Sequence, residues 1–209
     1  MNYQKELDEI LSKLPSPPPK PTLLLHACCG PCSSYVLEYL STIFDITIFY
    51  YNPNIHPKAE YDRRLSELEK FIGMFPPAKE NGVKLVVDEY DTEDYFAATN
   101  VLNEPELQNE REKGERCRRC YEFRMRRAFL YAASHGFDFF TTTLSISPHK
   151  DAEKINTIGY ALQAQNAEST RFLPADFKKK GGFLRSTQLS AEYGLWRQDY
   201  CGCVYSRRK

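Results

Sequence analysis

All seven cysteines of the chain fall in three short clusters that are far apart in the sequence. The clusters are Cys28-Cys29-Gly-Pro-Cys32 after an apolar run, Cys117-Arg-Arg-Cys120, and Cys201-Gly-Cys203 near the end. A single free cysteine is often just a small buried hydrophobic residue. Clusters flanked by Gly, Pro and Arg instead predict that the fold gathers three loops into one metal–thiolate site.

The composition limits the class of protein. A chain of 209 residues fits one domain, and a net charge of zero argues against a protein that coats nucleic acid by charge alone. No stretch approaches the ~18 consecutive apolar residues of a membrane helix, and residues 1–21 lack the apolar core of a signal peptide. We therefore expect a cytoplasmic protein without a membrane partner. In a reducing cytosol, an odd number of clustered cysteines favours metal binding or catalysis over disulfides.

Strand-like runs alternate with helical patterns along most of the chain. We expect strands over 22–27, 45–51, 83–87, 137–143 and a short 171–174, with one helix over 115–134 and another that begins at Lys150. This alternation predicts an α/β fold with a mostly parallel sheet flanked by helices and a C-terminal cysteine-bearing extension. Residues 1–21 are interpreted as an N-terminal helical arm with a Pro-rich connector, and 22–209 as a single α/β metalloenzyme domain. The first cysteine cluster lies on a strand-to-helix turn, where open α/β sheets bind ligands.

The thiol count exceeds what one metal centre needs. A tetrahedral zinc ion or a [4Fe–4S] cluster takes four cysteines, which leaves three for a second ion with an open coordination position. The count alone also allows some cysteines to be free or redox-active. One alternative is a structural zinc module, which leaves the first cluster unexplained and which would use Cys117, Cys120, Cys201 and Cys203.

Five motifs in order make the chain recognisable: His26–Cys32, Tyr51–Pro57, Glu115–Cys120, Phe177–Gly182 and Tyr193–Cys203. From about Thr22 to Ser206 the chain resembles the QueH-type epoxyqueuosine reductases. The resemblance implies the last step of queuosine synthesis, the cobalamin-independent reduction of epoxyqueuosine to queuosine at the tRNA wobble position. It also implies a Rossmann-like fold of the adenine-nucleotide α-hydrolase-like group and a [4Fe–4S] cluster beside a second iron ion. The expected partners are the tRNA anticodon stem-loop and an external electron donor.

The ligands can be divided between the two centres because neighbouring cysteines in a tight turn tend to point in different directions. On this argument the cluster ligands are Cys29, Cys117, Cys120 and Cys203. The second iron ion would then take Cys28, Cys32 and Cys201. Release of the epoxide oxygen as water needs a proton donor, for which the candidates are His26, His56, Asp199 and Tyr200.

Basic segments are expected to contact tRNA phosphates. The candidates are Lys178, Lys179, Lys180, Arg185, Arg118 and Arg119. Aromatic residues stack on unpaired RNA bases, and the candidates for this role are Tyr51, Phe183 and Trp196. A charge run is more often a solvated face, and we favour that interpretation for 124–127. Another cysteine-dependent tRNA-modifying enzyme, driven by ATP, is a further alternative, but cysteines occupy the turn where its Ser-Gly-Gly-x-Asp-Ser loop would lie.

Overall fold

The computed structural model describes residues 1–14, 19–166 and 169–207, so residues 15–18 of the Pro-rich connector lie outside the described residues. Within these ranges the chain forms a sheet of five parallel strands in the order β3-β2-β1-β4-β5. The strands are β1 Thr22–His26, β2 Asp45–Tyr50, β3 Lys84–Val87, β4 Phe139–Thr142 and β5 Arg171–Phe172. The α/β prediction is confirmed, and each predicted strand is present with slightly shorter bounds.

Helices connect the strands. They are α1 Tyr3–Ser12, α2 Gly30–Leu40, α3 Lys58–Met74, α4 Pro76–Glu80, α5 Thr92–Thr99, α6 Pro105–Asn109, α7 Glu115–Ser134, α8 Ala152–Gln165 and α9 Gly182–Glu192. Short 3-10 turns cover Thr143–Ile146 and Val204–Ser206. None of the described helices combines the length and the apolar content that crossing a membrane would require.

Capping residues explain where several helices begin. The Asp151 carboxylate accepts hydrogen bonds from the backbone N–H groups of Glu153 and Lys154, so α8 begins at Ala152 rather than at Lys150. Proline fits the first turn of a helix, where its missing N–H is not needed. The prolines at 76 and 105 therefore open α4 and α6, which the sequence analysis did not predict.

The two faces of the sheet carry separate apolar cores, because alternate side chains of a strand point to opposite faces. Leu23 and Leu25 of β1 belong to the core that contains side chains of α2, α3 and α9. Leu24 belongs to the other core, beneath α7 and α8. The N-terminal helix α1 adds to the first core through the fully buried Leu7. The architecture is therefore a three-layer α/β/α arrangement.

The strand order creates a crevice at one edge of the sheet. From β1 the chain proceeds outward through β2 to β3 and then returns to place β4 on the other side of β1. The connections that follow β1 and β4 consequently diverge at the carboxyl edge, which is where open α/β sheets bind ligands. The first cysteine cluster follows β1, and the 143–150 segment follows β4.

We expect Gly159→Ala to destabilise the fold. Gly159 of α8 lies against β5, and a Cβ atom there would be 2.3 Å from the Phe172 ring. Overpacking of this kind costs about 1–3 kcal/mol, which outweighs the helix propensity gained from alanine. Gly73→Ala in α3 is the matched control: nothing lies within 4 Å of its added Cβ, so we expect a gain of up to ~1 kcal/mol. Urea unfolding measures both, and equal effects would contradict this packing.

Candidate metal centre and groove

The first cysteine cluster is held at the junction of β1 and α2. The Sγ atoms of Cys28, Cys29 and Cys32 all lie within 4.8 Å of one another. Cys29 is the N-cap of α2, and its Sγ accepts a hydrogen bond from the Cys32 N–H at 3.4 Å. Gly30 lets α2 approach α3, because a Cβ there would be 2.9 Å from the Glu67 carbonyl oxygen. Three sulfur donors thus converge at a rigid helix start.

The other four cysteines meet in a second place. Cys117 and Cys120 lie one turn apart at the start of α7, and together with Cys201 and Cys203 they line a small cavity. The Tyr95 hydroxyl lies 3.7 Å from the Cys203 Sγ. All seven cysteines are free. The structure therefore groups the thiols as an N-terminal trio (Cys28, Cys29, Cys32) and a quartet (Cys117, Cys120, Cys201, Cys203).

The trio and the quartet are neighbours. Cys201 lines both the quartet cavity and an adjacent groove, and Cys32 of the trio lines the same groove. Lys150 lines both spaces as well. The three sequence clusters therefore meet at the carboxyl edge of the sheet, as the sequence analysis predicts.

Arg64 of α3 fixes the C-terminal extension. Its side chain is 1% exposed and forms an ion pair with Glu60 at 2.7 Å. It also donates to the carbonyl oxygens of Tyr200 at 3.0 Å and Cys201 at 3.2 Å. Gly202 follows with a φ of +101°, which a side chain would strain, and its carbonyl accepts the His56 N–H at 2.9 Å. These contacts place the last cysteines beside α3.

Buried cations surround the thiols. Arg116, Arg124 and Lys150 are at most 9% exposed, and within the described residues none of them forms an ion pair with a carboxylate. Burial lowers the pKa of Lys150, but the neighbouring sulfurs of Cys28, Cys32 and Cys201 raise it above its usual value. The pKa of Arg124 is likewise raised by Cys120 and Cys28 against the effect of burial. The sulfurs therefore supply counter-charge for Lys150 and Arg124.

Each sulfur group contains one thiol that ionises readily. Hydrogen bonds from Cys29 and Cys32 hold the pKa of Cys28 well below its usual value, and Lys150 assists. In the quartet, a hydrogen bond from Cys203 lowers the pKa of Cys201 in the same way. Because thiolates are the metal-binding form of cysteine, both groups are prepared to bind a metal ion and to release further protons as it binds.

The groove beside the sulfurs has a volume of about 840 Å³, large enough for a nucleoside. Its wall includes Cys32 and Cys201, and it also carries basic and aromatic side chains. These are Arg111, Lys113, Arg116, Lys150, Arg197, Phe183, Tyr200 and Tyr205. The groove thus brings two thiols together with basic and aromatic side chains.

Two of the four predicted proton donors line this groove, namely Asp199 and Tyr200. His26 is fully buried, and its ring nitrogens contact Thr142 Oγ1 at 2.8 Å and the Tyr51 carbonyl oxygen at 3.2 Å. Burial, aided by Arg124, lowers the pKa of His26 to about 3, so the ring is neutral. With both nitrogens engaged, His26 has the geometry of a structural histidine.

His56 also lies outside the groove walls. Its Nδ1 is 3.0 Å from the Asn54 carbonyl oxygen, and its Nε2 is buried without a partner in the described part of the chain. The Tyr200 hydroxyl donates a hydrogen bond to the His56 carbonyl oxygen. His56 therefore reaches the groove only indirectly, through Tyr200.

The predicted RNA-binding residues lie elsewhere, and none of the six lines the groove. Five of them already have carboxylate partners: Lys178 with Asp176, Lys180 with Asp8, Arg185 with Glu38, Arg118 with Glu115 and Glu122, and Arg119 with Glu104 and Glu115. Of the predicted stacking residues, Phe183 lines the groove. Tyr51 is buried in the core beneath α7, and the Arg63 guanidinium covers the Trp196 ring at 3.7 Å.

Several groove residues were not predicted from the sequence. Gln198 donates from Nε2 to the Cys29 Sγ at 3.1 Å and also contacts the Cys32 Sγ at 3.6 Å. Glu112 lies on the wall shared by the groove and the quartet cavity, and burial together with Cys201 raises its pKa. One sequence feature could have identified Lys150 as a site residue, namely its position in the connection that follows a buried parallel strand.

We expect Arg64→Met to loosen the C-terminal extension. It leaves the Glu60 carboxylate, which is 12% exposed, and two carbonyl oxygens without their donor; breaking a fully buried ion pair costs about 3–5 kcal/mol, which sets the upper bound here. Hydrogen exchange over 199–206 should accelerate, together with the loss of stability. Arg63→Met removes a cation that stacks on Trp196 and is the adjacent control, with an expected change of ~1 kcal/mol or less. Unchanged exchange in Arg64→Met would contradict this assignment.

Comparison with known proteins connects this site to a family. The family model described as "Epoxyqueuosine reductase QueH" matches residues 23–209. The protein of that name from Streptococcus pyogenes serotype M1 is 38% identical over 208 residues, covering 100% of this chain and 79% of the relative. The Staphylococcus epidermidis protein is 39% identical, covering 100% and 86%, and the Thermotoga maritima protein is 33% identical, covering 88% and 90%. As the motifs predict, the chain belongs to the QueH family of epoxyqueuosine reductases.

Proposed function

We propose that this protein reduces epoxyqueuosine in the tRNA anticodon wobble position to queuosine. The observation that carries the proposal is the meeting of all seven cysteines beside one nucleoside-sized groove. The reaction takes up two electrons and two protons: both C–O bonds of the epoxide break, a C=C bond forms, and the oxygen leaves as water. The protein must therefore provide an electron route, a proton source and a place for the nucleoside.

The donor set fits two metal centres. Four thiols around one cavity match the ligand number of a [4Fe–4S] cluster, and three converging thiols leave an open position on a second iron ion. We assign the quartet to the cluster and the trio to the iron. The division argued from the sequence instead placed Cys29 on the cluster and Cys201 on the iron. The proximity of the trio's three sulfurs favours assigning Cys28, Cys29 and Cys32 together to the iron. Bound there, the two centres supply single electrons and a Lewis acid for the epoxide oxygen.

The residues around the sulfurs fit such a negatively charged group. A cluster held by four thiolates carries net negative charge, and the buried Arg116, Arg124 and Lys150 form no ion pair with a carboxylate within the described ranges. The Asn54 Oδ1, in the quartet cavity, is buried and without a described partner. An occupied cavity would give these groups the contacts that they lack.

The groove would hold the substrate nucleoside and the adjoining backbone. Recognition of single-stranded RNA relies on stacking and on phosphate contacts. Phe183 and Tyr205 offer rings for stacking, and Arg111, Lys113 and Arg197 offer cations for the phosphates. Of the basic residues predicted from the sequence, Lys179 is the most available for an outer contact, because the other five would have to exchange a carboxylate for a phosphate.

Three groove residues could deliver protons to the departing oxygen: Asp199, Tyr200 and Glu112. Glu112 has the favourable property that burial raises its pKa, which keeps a proton available closer to neutral pH. His26 and His56 lie outside the groove walls, and we assign them supporting roles. The two electrons must come from an external donor.

The fold is consistent with the Rossmann-like, adenine-nucleotide α-hydrolase-like group, which we propose as its class. The strand order β3-β2-β1-β4-β5 is that of a doubly wound sheet, and the sulfurs lie at its switch point between β1 and β4. Cysteines occupy the turn after β1, where a nucleotide-binding relative would use a phosphate loop.

Cysteine variants should separate the two centres. In anaerobically reconstituted protein, the Cys117→Ser, Cys120→Ser double variant should lose acid-labile sulfide and most of its iron, because two of four cluster ligands are gone. Cys28→Ser should keep the sulfide and lose about one iron, since only the trio is affected. Iron and sulfide analysis measures both. Full cluster content in the double variant would refute the assignment, and colourless wild-type protein with zinc but no sulfide would favour the structural zinc module.

The activity test uses an anticodon stem-loop that carries epoxyqueuosine, an anaerobic reductant and mass spectrometry of the digested nucleosides. We expect conversion to a product lighter by one oxygen, and an unchanged nucleoside with iron-loaded protein would count against the proposed function.

Arg111→Gln should raise KM several-fold and reduce the salt dependence of binding by about one charge. Lys79→Gln, outside the groove walls, is the matched control and should leave both unchanged.

A further inference from the structure

Lys150 occupies an unusual position for a lysine. It ends a turn after β4, in which its backbone N–H donates to the Ser147 carbonyl oxygen at 3.2 Å, and Asp151 then caps α8. The residue is only 9% exposed. It lines both the groove and the quartet cavity, so its side chain lies between the two sulfur groups.

The surroundings of Lys150 combine sulfur atoms with one carboxylate, that of Glu112, which lines the same two spaces but forms no ion pair with Lys150 among the described residues. Within residues 1–14, 19–166 and 169–207, its Nζ forms neither an ion pair nor a hydrogen bond with a protein group. Cys28 and Cys32 of the trio and Cys201 of the quartet are close enough to stabilise its charge, whereas Arg124 opposes it. A buried ammonium is costly unless it is paired. The sulfur groups on both sides therefore provide its compensation.

This inference rests on the proposed function. We propose that Lys150 is a positioning residue whose buried ammonium raises the reduction potential of the iron–sulfur centre bound by the quartet. Each electron that enters such a centre adds one negative charge, and a nearby cation in a medium of low dielectric stabilises the reduced form more than the oxidised form. Because Lys150 also faces the trio, the same positive charge stabilises added negative charge at the trio as well as at the quartet.

The test compares reduction potentials in the full-length, anaerobically iron-loaded protein, titrated with dithionite and followed by electron paramagnetic resonance. In Lys150→Met, a chain of similar length without charge, we expect the equilibrium for one-electron reduction to fall at least tenfold, ~59 mV toward lower potential. Lys150→Arg keeps the charge and should remain within threefold of wild type. Lys84→Met removes an exposed cation that pairs with Asp45 on the sheet edge, and it should change nothing.

Each outcome decides a defined question. An unchanged potential in Lys150→Met, or the same lowering in Lys84→Met, overturns the role of Lys150. If Lys150→Met fails to retain iron, Lys150→Arg provides the test. Wild-type iron content and reduction potential in Lys150→Arg support the role of the charge, whereas loss of iron in both variants overturns it. Wild-type protein without iron and sulfide would refute the proposed function itself. Because the readout requires no tRNA, failure of the reductase assay alone leaves the potential measurement valid.

Discussion

The mutual compensation of buried cations and thiolates is the interaction on which the site depends. Arg116, Arg124 and Lys150 lie inside the fold without carboxylate partners among the described residues, and an isolated charge in that environment would cost several kcal/mol. Cys28 and Cys201 are sulfur groups that stabilise both Arg124 and Lys150. Hydrogen bonds from neighbouring thiols are the main cause of the lowered pKa values of Cys28 and Cys201, and Lys150 adds to the lowering in both, so the stabilisation of cation and thiolate is mutual. A negatively charged metal–sulfur group would extend the same balance.

The parallel sheet explains how cysteines from distant parts of the chain reach one place. The turn after β1 supplies the trio, and the connection after β4 supplies Lys150 between the sulfur groups. The quartet needs a further device, because Cys201 and Cys203 follow the last helix and belong to no strand. Arg64 provides it by binding two carbonyl oxygens of that extension from within α3. Helix α3 thereby holds the C-terminal extension, with Cys201 and Cys203, beside the residues that follow the strands.

Local patterns predicted the strands well, because an apolar run is a property of a short stretch, and the cysteine clusters are visible in the sequence itself. Helix α7 was predicted with its observed bounds, whereas α8 begins two residues later than predicted because the Asp151 side chain caps it. The division of the thiols and the availability of the basic residues depend on contacts across the fold. Lys180 is neutralised by Asp8 from the N-terminal helix, a pairing that no local pattern contains. No local pattern indicates that both His26 ring nitrogens contact hydrogen-bonding groups inside the fold.

The distribution of charge resolves an apparent conflict between a neutral protein and an RNA substrate. With 28 basic and 28 acidic residues the chain has no net charge that would attract RNA from a distance. Ion pairs neutralise cations such as Arg118, Arg119 and Arg185 away from the groove. Arg111, Arg197 and Lys113 line the groove and have no carboxylate partner in the described residues, so positive charge is left where the sulfurs are. Under the proposed function, these groove cations would bind the phosphate backbone at that edge of the sheet, and the modified nucleoside would lie beside the thiols.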